Sequence, residues 1–436
     1  MTLPESSPRF VPRLTAGVMT LVMLAGCAPA APDSLSPATD AVTETVQSTD
    51  SLPAPSGELQ LVSSGYGVIT SSGAATDAGY YGVESVQPGT VRVVYTDYAS
   101  CTRTCLCADP NCTHDSDACT AWFSSTGSTA LFTAADRQTI YLAATGLADS
   151  ECPGILYAFA PDGSNRREVY RLSGKEFAFG GVAESSSTLY LEIQVYDPDA
   201  DTITWEILAL DPATGEADTL FTTDQSGDRL TSAWGNRLIF DSVSDSTRSY
   251  YTVDVATGEK SAPLYSYDYT AQNRIEQAKD GFVYSLRSGE GDQWDLYRVT
   301  LETGEEEKLA VGIPIYDADG TRFSGFFDNH AEIDTSDTRD MENIQPLKYS
   351  VNLSTGEVRQ NTLSYQRNGN VTFAFILAEA PSDFLVRSGS DSRTVTVVDE
   401  SGTPSQVKDS VPQYALIAKS DYWNSNPAYR EIKDLF

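Results

Sequence analysis

Positive charge and histidine are scarce in this sequence. Its 436 residues include 29 lysines and arginines against 61 aspartates and glutamates, which gives a formal net charge of −32. A surface this acidic repels the phosphates of nucleic acids, so we expect no nucleic-acid partner. Only two histidines, His114 and His330, are present, and a Ser-His-Asp triad would have to use one of them. A G-x-S-x-G nucleophile elbow is also absent, so the sequence offers no complete catalytic constellation.

Hydrophobic runs long enough to cross a bilayer are missing as well. The apolar run at residues 14–26 is about half a bilayer span and follows Arg9 and Arg13, as the h-region of a signal peptide does. It leads into Leu24-Ala25-Gly26-Cys27, which matches the lipobox of bacterial lipoproteins. We therefore predict that residues 1–26 are a lipoprotein signal peptide. Cys27 would then be lipidated and would hold the protein on the extracytoplasmic face of the cell membrane.

The next segment, residues 27–57, lacks lysine and arginine and is rich in proline, serine, threonine and alanine. Such a composition cannot bury enough apolar surface to offset the entropy of ordering it, so we predict a flexible linker after the lipidated cysteine. The alternative is an ordinary secretory signal cleaved after Ala28 or Ala30. Residues 58–436 would form the folded domain.

Helical periodicity is absent from the predicted domain, where a strand, a tight turn and a second strand recur instead. The turns in ILALDPATGEADTLF, YYTVDVATGEKSAPLY, LYRVTLETGEEEKLA and YSVNLSTGEVRQNTL place Thr214, Thr257, Thr303 and Thr355 at spacings of 43, 46 and 52 residues. Weaker copies bring the number of turns to seven. Such steps predict an all-β fold, a single β-propeller of seven four-stranded blades, with six or eight as alternatives. We expect the C-terminal YALIAKSDYW to pair with strands of the 58–96 region and close the ring.

Three stretches resemble a known family. GAATDAGYYGV at 73–83, the LC…NC.H….C.AW cluster and YALIAKSDYWNSNPAY at 414–429 are similar to bacterial propeller lipoproteins related to the TolB-like and low-density-lipoprotein-receptor-like β-propellers. That family has no defined activity, so the resemblance implies a fold and a location only. This sequence departs from it by adding Cys101, Cys105 and Cys152, so no cysteine role is transferred from the family.

Cysteines are the candidate site residues. An even number in an exported chain favours disulfides, and the pairing is left open. Two of them, Cys105 and Cys107, would point to one face of a strand, and their direct pairing would be strained. Besides Cys27, the disulfide candidates are Cys101, Cys105, Cys107, Cys112, Cys119 and Cys152.

Zinc is the alternative for part of this set, and reactive thiols are a third. Cys107, Cys112, His114 and Cys119 have the ligand types and the number of a closed tetrahedral zinc site, although their spacing is not that of a common zinc finger. The oxidising exterior and the three surplus cysteines favour disulfides over zinc. We therefore predict no cofactor and no catalytic metal.

Binding is the function that these features favour. A lipid anchor, a long linker and a repeat architecture without a complete catalytic constellation predict a non-enzymatic binding or scaffold module for an envelope protein or an extracellular ligand. Residues 328–344 are expected to be an acidic loop between blades that contributes to such a surface. The competing hypothesis is an extracellular enzyme that acts on a polysaccharide or peptide through carboxylates at the channel mouth.

Overall fold

The computed structural model describes residues 59–63, 73–87, 89–116, 118–125, 129–134, 138–144, 154–185, 188–223, 227–271, 273–398 and 404–436. Contacts divide the chain into two units, Met1–Gln47 and Ser48–Phe436, and every described residue belongs to the second. The predicted signal peptide, Cys27 and the predicted linker lie outside the described residues. Within the described part, no helix is long and apolar enough to cross a bilayer.

Seven antiparallel sheets form the blades of a propeller, which confirms the predicted fold class and the predicted number of blades. We number the blades in chain order, and the first strand of each blade is its innermost. The N-terminal strand and blades 1–3 comprise β1 (Gln60–Ser63); β2 (Gly73–Ala75), β3 (Gly79–Gln87), β4 (Thr90–Asp97), β5 (Thr102–Cys105) and β6 (Trp122–Ser124) in blade 1; β7 (Thr129–Thr133), β8 (Ile140–Ala144), β9 (Ile155–Phe159) and β10 (Arg167–Arg171) in blade 2; and β11 (Glu176–Ser185), β12 (Thr188–Asp197), β13 (Thr202–Leu210) and β14 (Ala217–Thr223) in blade 3.

The remaining strands follow the same order. Blades 4–7 comprise β15 (Arg229–Trp234), β16 (Arg237–Ser244), β17 (Thr247–Asp254) and β18 (Tyr265–Asp268) in blade 4; β19 (Arg274–Lys279), β20 (Phe282–Ser288), β21 (Gln293–Thr300) and β22 (Glu306–Pro314) in blade 5; β23 (Arg322–Phe327), β24 (His330–Asp337), β25 (Gln345–Asn352) and β26 (Val358–Gln360) in blade 6; and β29 (Phe375–Glu379), β30 (Asp383–Val398), β31 (Pro404–Ala418) and β32 (Arg430–Glu431) in blade 7. A separate hairpin, β27 (Ser364–Arg367) and β28 (Asn370–Phe373), lies between blades 6 and 7 in the chain. One α-helix, α1 (Lys419–Trp423), one 3₁₀ turn (Tyr269–Ala271) and the last strand, β33 (Lys433–Asp434), complete the described elements.

The core is a ring of apolar interfaces between neighbouring blades. Leu142 of blade 2 packs with residues of blade 1, and Leu191 of blade 3 packs with residues of blade 2; neither side chain is exposed. Where a sheet is covered on both faces, a strand inside it can be apolar throughout rather than alternating. All five residues of β9, Ile155–Phe159, are buried for this reason.

The repeated turns join the third and fourth strands of blades 3–6 and also connect one blade to the next. In blade 6, Asn352 accepts a hydrogen bond from the Ser354 backbone N–H at 3.0 Å, and Gly356 has a φ of +72° that favours glycine. A Cβ built on Gly356 would lie 2.3 Å from the carbonyl oxygen of Leu309 in blade 5. Turns of other blades approach the preceding blade in the same way: Gly163 approaches Leu106, Gly215 approaches Val169 and Gly258 approaches Leu220.

The C-terminal residues close the ring at the outer edge of blade 1. Strand β33 pairs in parallel with β5, and the guanidinium of Arg103 in β5 forms an ion pair with Asp434 at 2.9 Å. The expected pairing of Tyr414–Trp423 with residues 58–96 is wrong. Those residues belong to β31 and α1 of blade 7, because their apolar side chains fill the core of that blade.

The N-terminal strand β1 lies on the channel side of blade 3. It pairs antiparallel with β11, the innermost strand of that blade, and also contacts β7 and β15. Leu59, just before it, is buried against blades 3 and 4. The chain therefore enters the propeller near its axis and not at its rim.

Residues 328–344 are not the loop that the sequence predicted. His330–Asp337 form β24, the second strand of blade 6, and the chain then turns into β25. Glu332 in this strand is only 1% exposed. Its buried charge is compensated by an ion pair with Lys348 at 3.3 Å and by a hydrogen bond from the Tyr422 hydroxyl at 2.6 Å. The prediction failed because a buried ion pair gives a strand the charge pattern of a solvated loop.

A second buried glutamate joins blades 3 and 4. Glu192 accepts hydrogen bonds from the backbone N–H groups of Gly181 at 2.8 Å and of Leu230 at 3.0 Å. Burial raises the pKa of Glu192 to about 7 even though these two hydrogen bonds oppose the rise. This carboxyl group therefore titrates near neutral pH while it supports a bulge in the innermost strand of blade 3.

Candidate metal centre

The cysteine-rich segment interrupts the outermost strand of blade 1. Strand β4 pairs along one edge with β5 through residues 94–97 and with β6 through residues 90–92. Between these two strands the chain leaves the sheet at residue 106 and returns at residue 121; we call residues 106–121 the metal loop. Both of its ends are bonded to Val93, whose carbonyl accepts from the Leu106 N–H at 3.0 Å and whose N–H donates to Ala121 at 3.0 Å.

The metal loop brings four candidate ligands together. One ligand atom from each of Cys107, Cys112, His114 and Cys119 lies within 4.8 Å of the other three. Nδ1 of His114 lies 3.4 Å from Sγ of Cys119. Cys119 is 1% exposed, whereas the other three side chains are half-buried. These are the four residues that the sequence offered as the zinc alternative.

The spacing of these atoms fits a tetrahedral zinc ion. Zinc binds thiolate sulfur at about 2.3 Å and imidazole nitrogen at about 2.0 Å, so the ligand atoms of such a site are roughly 3.5–3.8 Å apart. The separation of 3.4 Å between His114 Nδ1 and Cys119 Sγ is close to this range, and the other pairs of ligand atoms are no more than 4.8 Å apart. Three sulfurs and one imidazole nitrogen are ligands that zinc accepts and that calcium and magnesium do not favour.

Local turn chemistry brings the ligands into place. Asp109 accepts a side-chain hydrogen bond from the Asn111 N–H at 2.9 Å, and its carbonyl accepts from the Cys112 N–H at 3.2 Å, which folds the chain back toward Cys107. His114 then adopts a φ of +57°, a left-handed conformation that reverses the chain again. The ring is thereby turned toward Cys119.

Hydrogen bonds to sulfur prepare the site for a metal ion. The Thr120 hydroxyl donates to Sγ of Cys107 at 3.4 Å, and the backbone N–H of His114 donates to Sγ of Cys112 at 3.4 Å. Burial opposes ionisation of the Cys107 thiol, but the bonds from Thr120 and from backbone groups outweigh it and lower its pKa to about 6. Burial raises the pKa of Cys119, so metal binding would have to displace its proton.

The other cysteines do not join this set. Cys105 is buried behind it, with its Sγ 4.0 Å from that of Cys119, while a disulfide needs about 2.05 Å. Cys101 lies in the turn before β5, near Arg430. All five described cysteines are free thiols in this structure, and Cys152 lies outside the described residues. Disulfide formation stays a prediction, while the geometry favours zinc for Cys107, Cys112 and Cys119.

Blade 2 packs directly on the metal loop. The guanidinium of Arg166 donates to the carbonyl of Trp122 at 2.7 Å and lies 3.9 Å from the ring centroid of Phe123. The turn glycine Gly163 approaches the carbonyl of Leu106, the first residue of the loop. These contacts could not be predicted from the sequence, because they join positions more than forty residues apart. The site therefore lies at the junction of blades 1 and 2.

His330 has a packing role in this structure. It begins β24 and stacks on Trp423 with ring centroids 4.1 Å apart. Its Nδ1 lies 2.7 Å from the carbonyl oxygen of Asp328, and its Nε2 lies 3.2 Å from the amide nitrogen of Asn352. A backbone carbonyl and an amide are not the partners of a catalytic triad histidine.

Comparisons with known proteins found similar solved structures at low identity. No family model and no curated protein matches it. An oligogalacturonate lyase in complex with manganese shares 11% identity, with 84% of this chain and 92% of that chain covered and a TM-score of 0.46. The periplasmic gluconolactonase PpgL of Pseudomonas aeruginosa shares 12% identity, with 83% and 99% covered and a TM-score of 0.39. TolB from Acinetobacter baumannii shares 12% identity, with 76% and 78% covered and a TM-score of 0.29.

These similarities contradict the expectation of a non-enzymatic protein. Enzymes are among the similar structures, including a prolyl endopeptidase and an acylaminoacyl peptidase as well as the lyase and the gluconolactonase. The expectation was wrong because it relied on the absence of a catalytic motif, and a missing motif does not separate enzymes from binding proteins in this fold. At these identities the likeness concerns the fold and assigns no activity to this chain.

Proposed function

We propose that this chain is a lipid-anchored, extracytoplasmic β-propeller that binds an envelope protein or an extracellular ligand, and that a zinc ion fixes its first blade. The observation that supports the zinc ion is the convergence of Cys107, Cys112, His114 and Cys119 within 4.8 Å. The sequence Leu24-Ala25-Gly26-Cys27 supports the anchor.

The zinc ion has a structural role in this proposal. Four protein ligands fill a tetrahedral site, whereas a catalytic zinc ion keeps one position for water or substrate. The metal loop buries little apolar surface of its own, since residues 108–111, 113, 115 and 116 are largely exposed. Metal binding would therefore supply most of the free energy that orders the loop and the surface on which blade 2 packs.

Metal and thiol analysis of the purified full-length protein tests the zinc site. We expect one zinc ion per chain and three thiols that react only after a chelator removes the metal. The Cys112→Ser variant should lose the zinc, whereas Cys101→Ser should keep it, because Cys101 lies outside the cluster. A wild-type protein without zinc, in which Cys107, Cys112 and Cys119 are oxidised, would contradict the proposal and restore the disulfide prediction.

The anchor is tested by fractionation of cells that express the wild-type protein or the Cys27→Ala variant. The wild type should sediment with membranes, and the variant should be released into the soluble fraction. Retention of the variant on the membrane would rule out lipidation of Cys27 as the means of attachment.

The binding role is tested by crosslinking in intact cells, followed by identification of what the protein holds. We expect reproducible capture of an envelope protein or an extracellular compound, which is lost when the propeller is unfolded. Capture of nothing but lipid would contradict the binding role. Turnover of the captured compound by the purified protein would identify it as a substrate.

A further inference from the structure

A cleft of about 700 Å³ lies between blade 6 and blade 7. Strands β23, β24 and β25 form one wall, and β29, β30 and β31 form the other. The hairpin β27–β28, which belongs to neither blade, lines it as well. This volume is that of a small-molecule site, since ligand pockets in proteins typically enclose about 300–1,000 Å³.

The wall from blade 6 carries a row of charges. Arg322, Asp334 and Lys348 stand directly opposite one another across β23, β24 and β25. Asp334 lies 3.3 Å from Arg322 and 3.3 Å from Lys348, and Lys348 also pairs with the buried Glu332. The charges in this wall are therefore largely compensated within the wall itself.

The wall from blade 7 carries a cation between aromatic rings. Phe375, Arg387 and Tyr414 stand opposite one another across β29, β30 and β31. Among the described residues, no carboxylate lies within 4.0 Å of Arg387, and its Nε is buried without a hydrogen-bond partner. A buried donor left unpaired is unfavourable, so an acceptor that enters the cleft would recover this loss.

The hairpin adds a second uncompensated cation. Its side chains Tyr365 and Arg367 line the cleft, and within the described part of the chain Arg367 has no carboxylate within 4.0 Å. Burial raises the pKa of Tyr365, while the charges of Arg387 and Arg367 oppose that rise, so both guanidinium groups act on the same ring. The lining contains four cations, Arg322, Lys348, Arg367 and Arg387. The first two pair with Asp334 and Glu332, so the positive charge of the cleft comes from Arg367 and Arg387.

We propose that this cleft binds a small molecule that carries a carboxylate or phosphate group beside a ring or another apolar part. Arg367 and Arg387 hold the anionic group, since a guanidinium presents paired donors that match an oxyanion. Tyr365, Phe373, Phe375 and Tyr414 provide the apolar surface for the remainder. The net charge of −32 makes the rest of the surface repel anions. An anionic ligand is therefore expected to bind in the positive cleft and not elsewhere on the surface. The proposal deepens the binding role proposed above and does not depend on zinc.

Titration of the full-length protein in detergent with phenyl phosphate and with benzoate, followed by calorimetry, tests the site. Benzyl alcohol is the uncharged comparison, and inorganic phosphate is the comparison without a ring. We expect saturable binding of at least one ring-bearing anion, weaker binding of both comparison compounds, and a loss of affinity as salt screens the charges. Which of the two anions binds more tightly distinguishes a phosphate ligand from a carboxylate ligand.

Two variants and a matched control locate the binding. Arg387→Gln and Arg367→Gln should each weaken binding about 10- to 100-fold, the effect of losing a hydrogen bond to a charged group. Arg359→Gln removes an arginine of blade 6 that pairs with Glu357 away from the cleft, and it should leave binding unchanged. Because Arg367 lies on an exposed hairpin, its variant remains informative if Arg387→Gln does not fold.

Either of two results would overturn the inference: no saturable binding of any anionic probe, or binding that neither cleft variant weakens. If cells still capture a partner or ligand in that case, the proposed function survives and only this site is wrong. If anion binding is found while the zinc and anchor experiments fail, the proposed ligand site in the cleft is still supported.

Discussion

Substitution of a single turn glycine should measure how much one blade contact stabilises the propeller. Gly356 and Gly304 occupy equivalent turns in blades 6 and 5 and have the same φ of +72°. A Cβ on Gly356 would lie 2.3 Å from the carbonyl oxygen of Leu309, whereas a Cβ on Gly304 would meet nothing within 4 Å. The two alanine variants therefore share the backbone strain and differ in the blade contact.

The magnitudes follow from these two conditions. Placing alanine in a left-handed conformation costs about 1–2 kcal/mol, and this cost applies to both Gly304→Ala and Gly356→Ala. The close approach in Gly356→Ala forces β22 and the turn apart by roughly 1 Å, and overpacking of this kind costs about 1–3 kcal/mol more. We expect Gly356→Ala to lower the free energy of unfolding by about 2–5 kcal/mol and Gly304→Ala by about 1–2 kcal/mol.

Urea unfolding of the full-length protein, followed by tryptophan fluorescence at a fixed zinc concentration, is a suitable assay. The difference between the two variants is the quantity of interest, because it cancels the effect of alanine on the unfolded chain. Equal losses of stability in both variants would refute the reasoning, since the turn would then act only as a hairpin and not as a contact between blades.

Three further predictions concern the joints between other blades. The Glu192 carboxyl has a pKa of about 7 when folded and an ordinary value of 4.5, so the free energy of unfolding should fall by up to about 3 kcal/mol as pH rises from 4.5 to 7. Glu192→Gln should lose this pH dependence. The measurement is the free energy of unfolding of variant and wild type against pH at the same zinc concentration. Arg166→Leu removes the hydrogen bond to Trp122 and the contact with Phe123, so it should lower the free energy of unfolding in urea by about 2–3 kcal/mol and speed zinc release to a chelator. Unchanged zinc release would show that the contact between blades 1 and 2 does not stabilise the metal loop. Deletion of residues 433–436 should cost about 2–3 kcal/mol, because two backbone hydrogen bonds and an ion pair to blade 1 are lost, and unaltered unfolding would show that the ring closes without them.

The blade count was predictable because turn chemistry is local. An Asp or Asn that opens a turn and a glycine with positive φ leave their marks within six residues, and a repeat of this kind survives where strand sequences drift. Strand β24 was missed for the opposite reason. Its charges are compensated by Lys348, Tyr422 and other residues that are distant in sequence, so the pattern resembled a solvated loop.

The two candidate sites also differ in whether their residues are close together in the sequence. The four candidate zinc ligands lie within thirteen residues, so the sequence could name them. Compartment and parity favoured disulfides, and only the geometry shows that the ligand atoms converge. The cleft was not predictable at all. Its walls come from residues 320–348, 365–377 and 387–414, and no single segment carries more than part of the charge pattern.

The approach of four turn glycines to the preceding blade gives the ring a direction of growth. The turn of blade 2 packs against the carbonyl of Leu106, that of blade 3 against Val169, that of blade 4 against Leu220 and that of blade 6 against Leu309, and in each case the carbonyl precedes the turn in the chain. A nascent chain that emerges N-terminus first thus completes each of these contact surfaces before the turn that packs on it is made. The first of these carbonyls, that of Leu106, begins the metal loop, so a bound metal ion would act at the earliest step of assembly rather than in the finished ring.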